Sequence, residues 1–120
     1  MEASDSPAKT FKMSAEQIRP MATGRGGTFA TDDILVAGKP VGYMYRERPA
    51  SEIDSGWRFL SGHETQAYLD DPRNLGFYDV NTIANYDPEI TPFLDHPVGS
   101  AYVRGPAGLQ PLARPQGPLN

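Results

Sequence analysis

A chain of 120 residues has room for one domain and one modest core. It contains no cysteine, which excludes disulfides and thiolate chemistry and fits a cytoplasmic setting. The net charge of −4 is unevenly spread, with 12 acidic and 6 basic residues over 28–104 and 3 acidic against 5 basic elsewhere. An acidic middle repels phosphate backbones, which speaks against direct nucleic-acid binding, and it attracts a basic partner. No apolar run approaches the roughly 20 residues that span a bilayer, and the first residues lack the basic and apolar regions of a secretion signal.

Glycine and proline number 12 each and gather towards the two ends. They predict three parts: a flexible segment over 1–26, a folded domain over 27–104 and a disordered tail over 105–120. In the first part, Ser14 stands three residues before Gln17, the spacing of a capping box, so a short helix is expected over 15–19 before Pro20. Gly24-Arg-Gly-Gly27 lacks the Lys-Ser/Thr of a phosphate loop and reads as a joint.

Residues 28–30 and 34–37 read as strand-like pieces separated by Asp32-Asp33. Gly38-Lys-Pro40 is turn chemistry, and 41–47 is the next strand, with Val41, Tyr43 and Tyr45 on one face and Met44 and Arg46 on the other. The short spacing predicts a hairpin between 34–37 and 41–47. After a polar loop carrying Glu52 and Asp54 comes Asp54-Ser-Gly-Trp-Arg-Phe-Leu-Ser-Gly-His-Glu64, which holds the only tryptophan. Alternation sends Trp57 and Phe59 to one face, and Ser61 with Glu64 has capping-box spacing for a helix over 64–69.

A short strand follows at 75–78, then a helix over 82–86 capped by Asp79 or Asn81, with Ile83 inward. Asp87-Pro88 caps another turn, and 98–104 is the last strand. From Gly105 onward the chain has four prolines and almost no charge, and Pro115-Gln-Gly-Pro118 has the spacing of a proline-motif ligand. The fold class expected is α+β: a small, mostly antiparallel sheet of four to five short strands with short inserted helices and flexible tails.

Catalytic chemistry finds little support. His63 and His96 belong to no paired-ligand spacing, and no calcium-loop pattern is present, so no metal is expected. Ser61-Gly-His63 is not a nucleophile elbow, and Ser61 has a better role as a cap. Acid–base work needs two carboxyls in unlike environments, for which Glu47, Asp54, Glu64 and Asp79 are the candidates. Tyr43, Tyr45, Trp57, Phe59, Tyr78, Tyr86 and Tyr102 are many aromatics for so small a core, which leaves some of them for an aromatic–acidic binding patch.

Val41-Gly-Tyr-Met-Tyr-Arg-Glu, the Asp54–Glu64 stretch and Tyr78-Asp-Val-Asn-Thr-Ile-Ala-Asn-Tyr-Asp-Pro occur in order, and Asp95-His-Pro-Val-Gly-Ser follows them. Over 28–104 these motifs resemble a family of small bacterial proteins of unknown function, also classed as predicted immunity proteins of polymorphic toxin systems. The resemblance implies a non-catalytic protein that binds and neutralises a toxin domain, with no cofactor and no catalytic residue to carry over. The acidic domain suits a basic toxin. Glu52, Asp54, Glu64 and Asp87 are then expected to form the charged part of the partner surface, with Tyr45 and Tyr86 as anchors. Trp57, Phe59 and Ser61 are expected to be structural. The alternative is a small ligand-binding or hydrolytic domain using the carboxylate cluster, with a pocket lined by Asp54, Asp79 and Tyr86. A third reading is an interaction module whose proline tail docks elsewhere.

Overall fold

A computed structural model describes residues 9–112. Six strands form one sheet in the order β4-β1-β3-β2-β5-β6. They are β1 (Gly27–Thr31), β2 (Tyr43–Arg46), β3 (Asp54–Leu60), β4 (Leu75–Asp79), β5 (Ala101–Gly105) and β6 (Gly108–Pro111). The central β1 and β3 run parallel, and every other neighbouring pair is antiparallel. Three short α-helices complete the α+β fold: α1 (Asp32–Leu35), α2 (Gln66–Asp70) and α3 (Val80–Tyr86). The sheet has one strand more than the highest number expected.

The core lies on one side of the sheet. Ala30, Met44, Trp57, Phe59 and Tyr102 project from the strands into a cluster with Ile34 and Leu35, with Val80, Ile83 and Ala84 of α3, and with Ile90 and Leu94 of the 3-10 turn Pro88–Phe93. Trp57 and Phe59 face the same way because strand residues alternate sides, and their rings stack with centroids 6.0 Å apart. The indole Nε1 donates to the Leu94 carbonyl at 3.1 Å, so the one polar atom of the tryptophan is satisfied inside the core.

The run Ile34-Leu-Val-Ala37 is not a strand, and the hairpin expected from it does not form. A short contiguous apolar run does not distinguish strand from helix by its period. Here Thr31 takes the N-cap position with Asp32 and Asp33 in the first turn, where negative charge suits the helix dipole. Gly38, at φ +78, ends the turn by donating its N–H to the Ile34 carbonyl at 3.1 Å. β2 pairs instead with β3 and β5. Val41 accordingly leaves the Tyr43–Tyr45 face and joins the core.

The helix expected over 64–69 starts later, at Gln66, because Thr65 provides the cap: its Oγ1 accepts from the Tyr68 N–H at 3.1 Å. Half of the anticipated box survives, since Glu64 Oε2 accepts from the Ser61 N–H at 2.8 Å. Ser61 Oγ turns elsewhere, donating to Asp33 at 2.7 Å and accepting from the His63 N–H at 3.1 Å. The ends of β2 and β3 meet closely here. A Cβ on Gly42 would stand 1.9 Å from the Ser61 carbonyl oxygen, so this crossing admits only glycine.

The disordered tail expected from residue 105 is corrected in part by β6. Pro106 suits the second position of a tight turn, and Gly108, at φ +109, closes it. Pairs then form from Gly105 with Gly108 to Tyr102 with Pro111. Pro111 is tolerated because β6 is an edge strand. The Pro115–Pro118 motif lies outside the described residues.

The boundary drawn at residue 26 does not mark a break in packing. The Lys12 N–H donates to the Leu35 carbonyl at 2.8 Å. Asn81 Oδ1 accepts from the N–H groups of Met21 and Ala22 at 2.7 and 2.8 Å, and the Met13 N–H donates to the Tyr86 hydroxyl. This segment therefore runs along α3 on the helical side. Its expected helix is a single 3-10 turn over Ala15–Gln17.

Candidate partner-binding face

The side of the sheet turned away from the core is partly covered: Tyr45, Arg58, Leu60 and Ala101 are buried, while Phe29, Phe77 and Val103 are exposed. Alternation places Phe29, Tyr43, Tyr45, Arg58, Leu60, Phe77, Ala101 and Val103 there. Tyr45, Leu60 and Ala101 form a small second cluster, joined by Tyr43, Leu69 of α2 and Leu112. Across the other half, Phe29 and Phe77 meet edge-on as directly paired residues of β1 and β4, with centroids 5.0 Å apart. Phe29 is 38% exposed and Phe77 41%. A Cβ on Gly27 would fall 2.2 Å from the Phe77 ring, so that ring lies directly on the Gly27 backbone.

Arg58 joins the two halves. It is paired with Phe29 on one side and Tyr45 on the other, and its guanidinium lies 4.9 Å from the Phe29 ring centroid. Its Nε donates to Glu47 at 2.6 Å, while Nη1 and Nη2 clasp both oxygens of Asp54 at 2.9 and 2.8 Å. Nη1 also donates to the Trp57 carbonyl at 2.8 Å. Arg58 is only 7% exposed. Two carboxylates and a carbonyl thus replace the water that such a cation gives up on burial.

The local backbone builds this cluster. Pairing between β1 and β3 shifts register between Gly27 and Phe29, and the irregular stretch of β3 centres on Gly56, at φ +92. Asp54 accepts from the N–H groups of Ala50 and Gly56 at 2.8 and 2.9 Å. The Arg58 hydrogen bonds hold the Asp54 carboxyl well below the usual carboxylate range, with these two N–H groups helping and burial opposing. Burial, and then the negative charge of Glu47, pushes the neighbouring Tyr45 hydroxyl well above its ordinary value, so it stays neutral.

The residues singled out from the sequence do not converge. Tyr45 and Asp54 lie on the side of the sheet away from the core but are buried there, so neither offers the exposed anchor or charge expected of it, while Glu52 is exposed in the loop before β3. Glu64 sits at one end of the sheet, where it accepts from Thr31, Ser61 and Gly62. Tyr86 belongs to the helical side, packed against the main core. Asp87 is buried: it pairs with Arg104 at 2.6 Å, accepts from the Val41 N–H at 3.0 Å and caps the Pro88–Phe93 turn. The acids make no common face, because several are matched locally: Asp32 with Lys9, Asp33 with Lys39, Asp71 with Arg73 and Asp95 with Arg25.

Phe29, Phe77 and Arg58 were missed as site residues, though their signal was present. The alternation that turns Ala30 and Tyr78 inward turns Phe29 and Phe77 outward. Among the described residues, no group of three or more metal-ligating side chains is placed to hold an ion, and no helix is long and apolar enough to cross a membrane.

One six-stranded sheet, with the main core and α3 on one side and a smaller cluster joined by Leu69 of α2 on the other, makes a small α+β protein. The family described as Immunity protein Imm33 domain matches residues 28–110, more than half of the chain, and the chain belongs to that family. No curated protein and no solved structure gives a match.

Proposed function

We propose that this immunity domain neutralises a toxin domain by binding it through the side of the sheet turned away from the core. The observation that carries the reading is the pair of half-exposed phenylalanines, Phe29 and Phe77, beside the buried Arg58–Asp54 pair and the half-exposed Glu47. Aromatics around a desolvated arginine are what binding hot spots are made of. A standard interface takes roughly 800 Å² from each partner, so the contact extends past the phenylalanines to Tyr43 and Val103. The net charge of −6 over 28–104 favours a basic toxin domain and speeds encounter with it.

Acid–base chemistry by the carboxylates is the weaker reading, because Glu47 and Asp54 are both engaged by the same cation. Titration calorimetry against the cognate toxin domain, sought first in the neighbouring open reading frames, is the test. Saturable 1:1 binding with Kd at or below about 1 μM is expected, weakening as salt is raised. No binding at low salt contradicts the proposal.

A further inference from the structure

We propose that the groove between β4 and the loop before β3 receives a lysine or arginine side chain of the toxin domain. This inference rests on the toxin-binding reading above and adds the chemistry of one contact. The groove is open, about 610 Å³, and is bounded by Glu52, Ile53, Phe77 and Asp79, with Gly24 and Gly26 beneath.

Its walls combine exposed apolar surface with exposed acids. Ile53 is 67% exposed, the most of any large apolar side chain described, and Phe77 stands beside it. Glu52 and Asp79 are also exposed, and among the described residues neither forms an ion pair. Acids on the same sheet behave differently: Glu47 and Asp54 both hold Arg58. The cation among the lining residues, Arg25, is bonded through Nη1 to Asp95, while its buried Nε has no partner among the described residues.

An apolar floor with two exposed carboxylates that hold no cation among the described residues fits a long cationic side chain. Its methylene stem packs on Ile53 and the Phe77 ring while its head reaches the carboxylates. An apolar plug would desolvate both acids without compensation, and an acidic one would be repelled.

Titration of the toxin domain with Glu52→Gln, Asp79→Asn and the double variant separates the contributions. Asp79 Oδ1 accepts from the Asn81 N–H at 2.8 Å and caps α3, and asparagine keeps that cap, so the variant loses charge without losing the helix start. Each single variant is expected to weaken binding by about threefold to tenfold, and the double by more than tenfold. The dependence of affinity on salt should also become shallower in the double variant. If the double variant binds as tightly as the wild type with the same salt dependence, the groove assignment falls and toxin binding stands. Absence of binding by the wild type itself overturns both.

Discussion

Replacing Arg58 with alanine is expected to cost about 3–5 kcal/mol of folding stability, because it strands a carboxylate inside the protein. Asp54 is buried, and two of its four partners are guanidinium N–H groups. The loss should appear as a fall in Tm of more than about 10 °C for a domain of this size. The sign of the pH dependence follows from the depressed Asp54 carboxyl. A group held below its unfolded value contributes stability that is fully present above about pH 4 and is lost as pH falls towards the folded value. The wild type should therefore weaken in acid below about pH 4. The alanine variant lacks the largest cause of the depression, so the gap between the two proteins should narrow as pH falls. Arg58→Met combined with Asp54→Asn removes both charges and should recover part of the loss. A wild-type Tm retained by Arg58→Ala would show that the ion cluster contributes little to folding.

Changing Phe77 to arginine is expected to weaken toxin binding by at least about 30-fold, the size of a hot-spot loss of 2 kcal/mol or more. The substitution removes an exposed ring from the patch and sets a positive charge against the basic partner proposed above. Phe77 is on an edge strand and is partly solvated, so the effect on Tm should be small. Phe11 provides the control. It is similarly exposed, but it packs edge-on against Tyr78 on the helical side, at 5.8 Å. Phe11→Arg should leave affinity unchanged. Equal losses from both substitutions would mean that the charge change, and not the face, sets affinity.

Local patterns in the sequence were legible wherever one residue decides the outcome. Alternation at Trp57-Arg-Phe59 gave the correct faces, and Asp79 and Asp87 were readable as caps because an acceptor just before an apolar turn has a specific job. Ile34-Leu-Val-Ala37 misled because four contiguous apolar residues carry no period, and the acids before them were weighed as a break instead of a helix start. β6 was hidden by prolines, although Pro106 and Gly108 are themselves the turn that brings it back onto β5. The site was harder to read for a different reason. Asp54 and Asp87 looked like surface charge, but each meets an arginine through tertiary contact: Arg58 after an irregular stretch of strand, Arg104 from a distant one. Phe29 and Phe77 could be assigned to a common face only once β1 and β4 were known to pair and the main core was known to lie on the other side.

Hydroxyl-radical footprinting of the chain, free and bound to the proposed toxin partner, tests most directly which side of the sheet meets that partner. Phe29 and Phe77 are exposed on one side, Phe11 and Met21 on the other, and all four side chains are oxidisable. Complex formation should protect Phe29 and Phe77 and leave Phe11 and Met21 at their free rates. Protection confined to Phe11 and Met21 would place the toxin on the helical side and contradict the account.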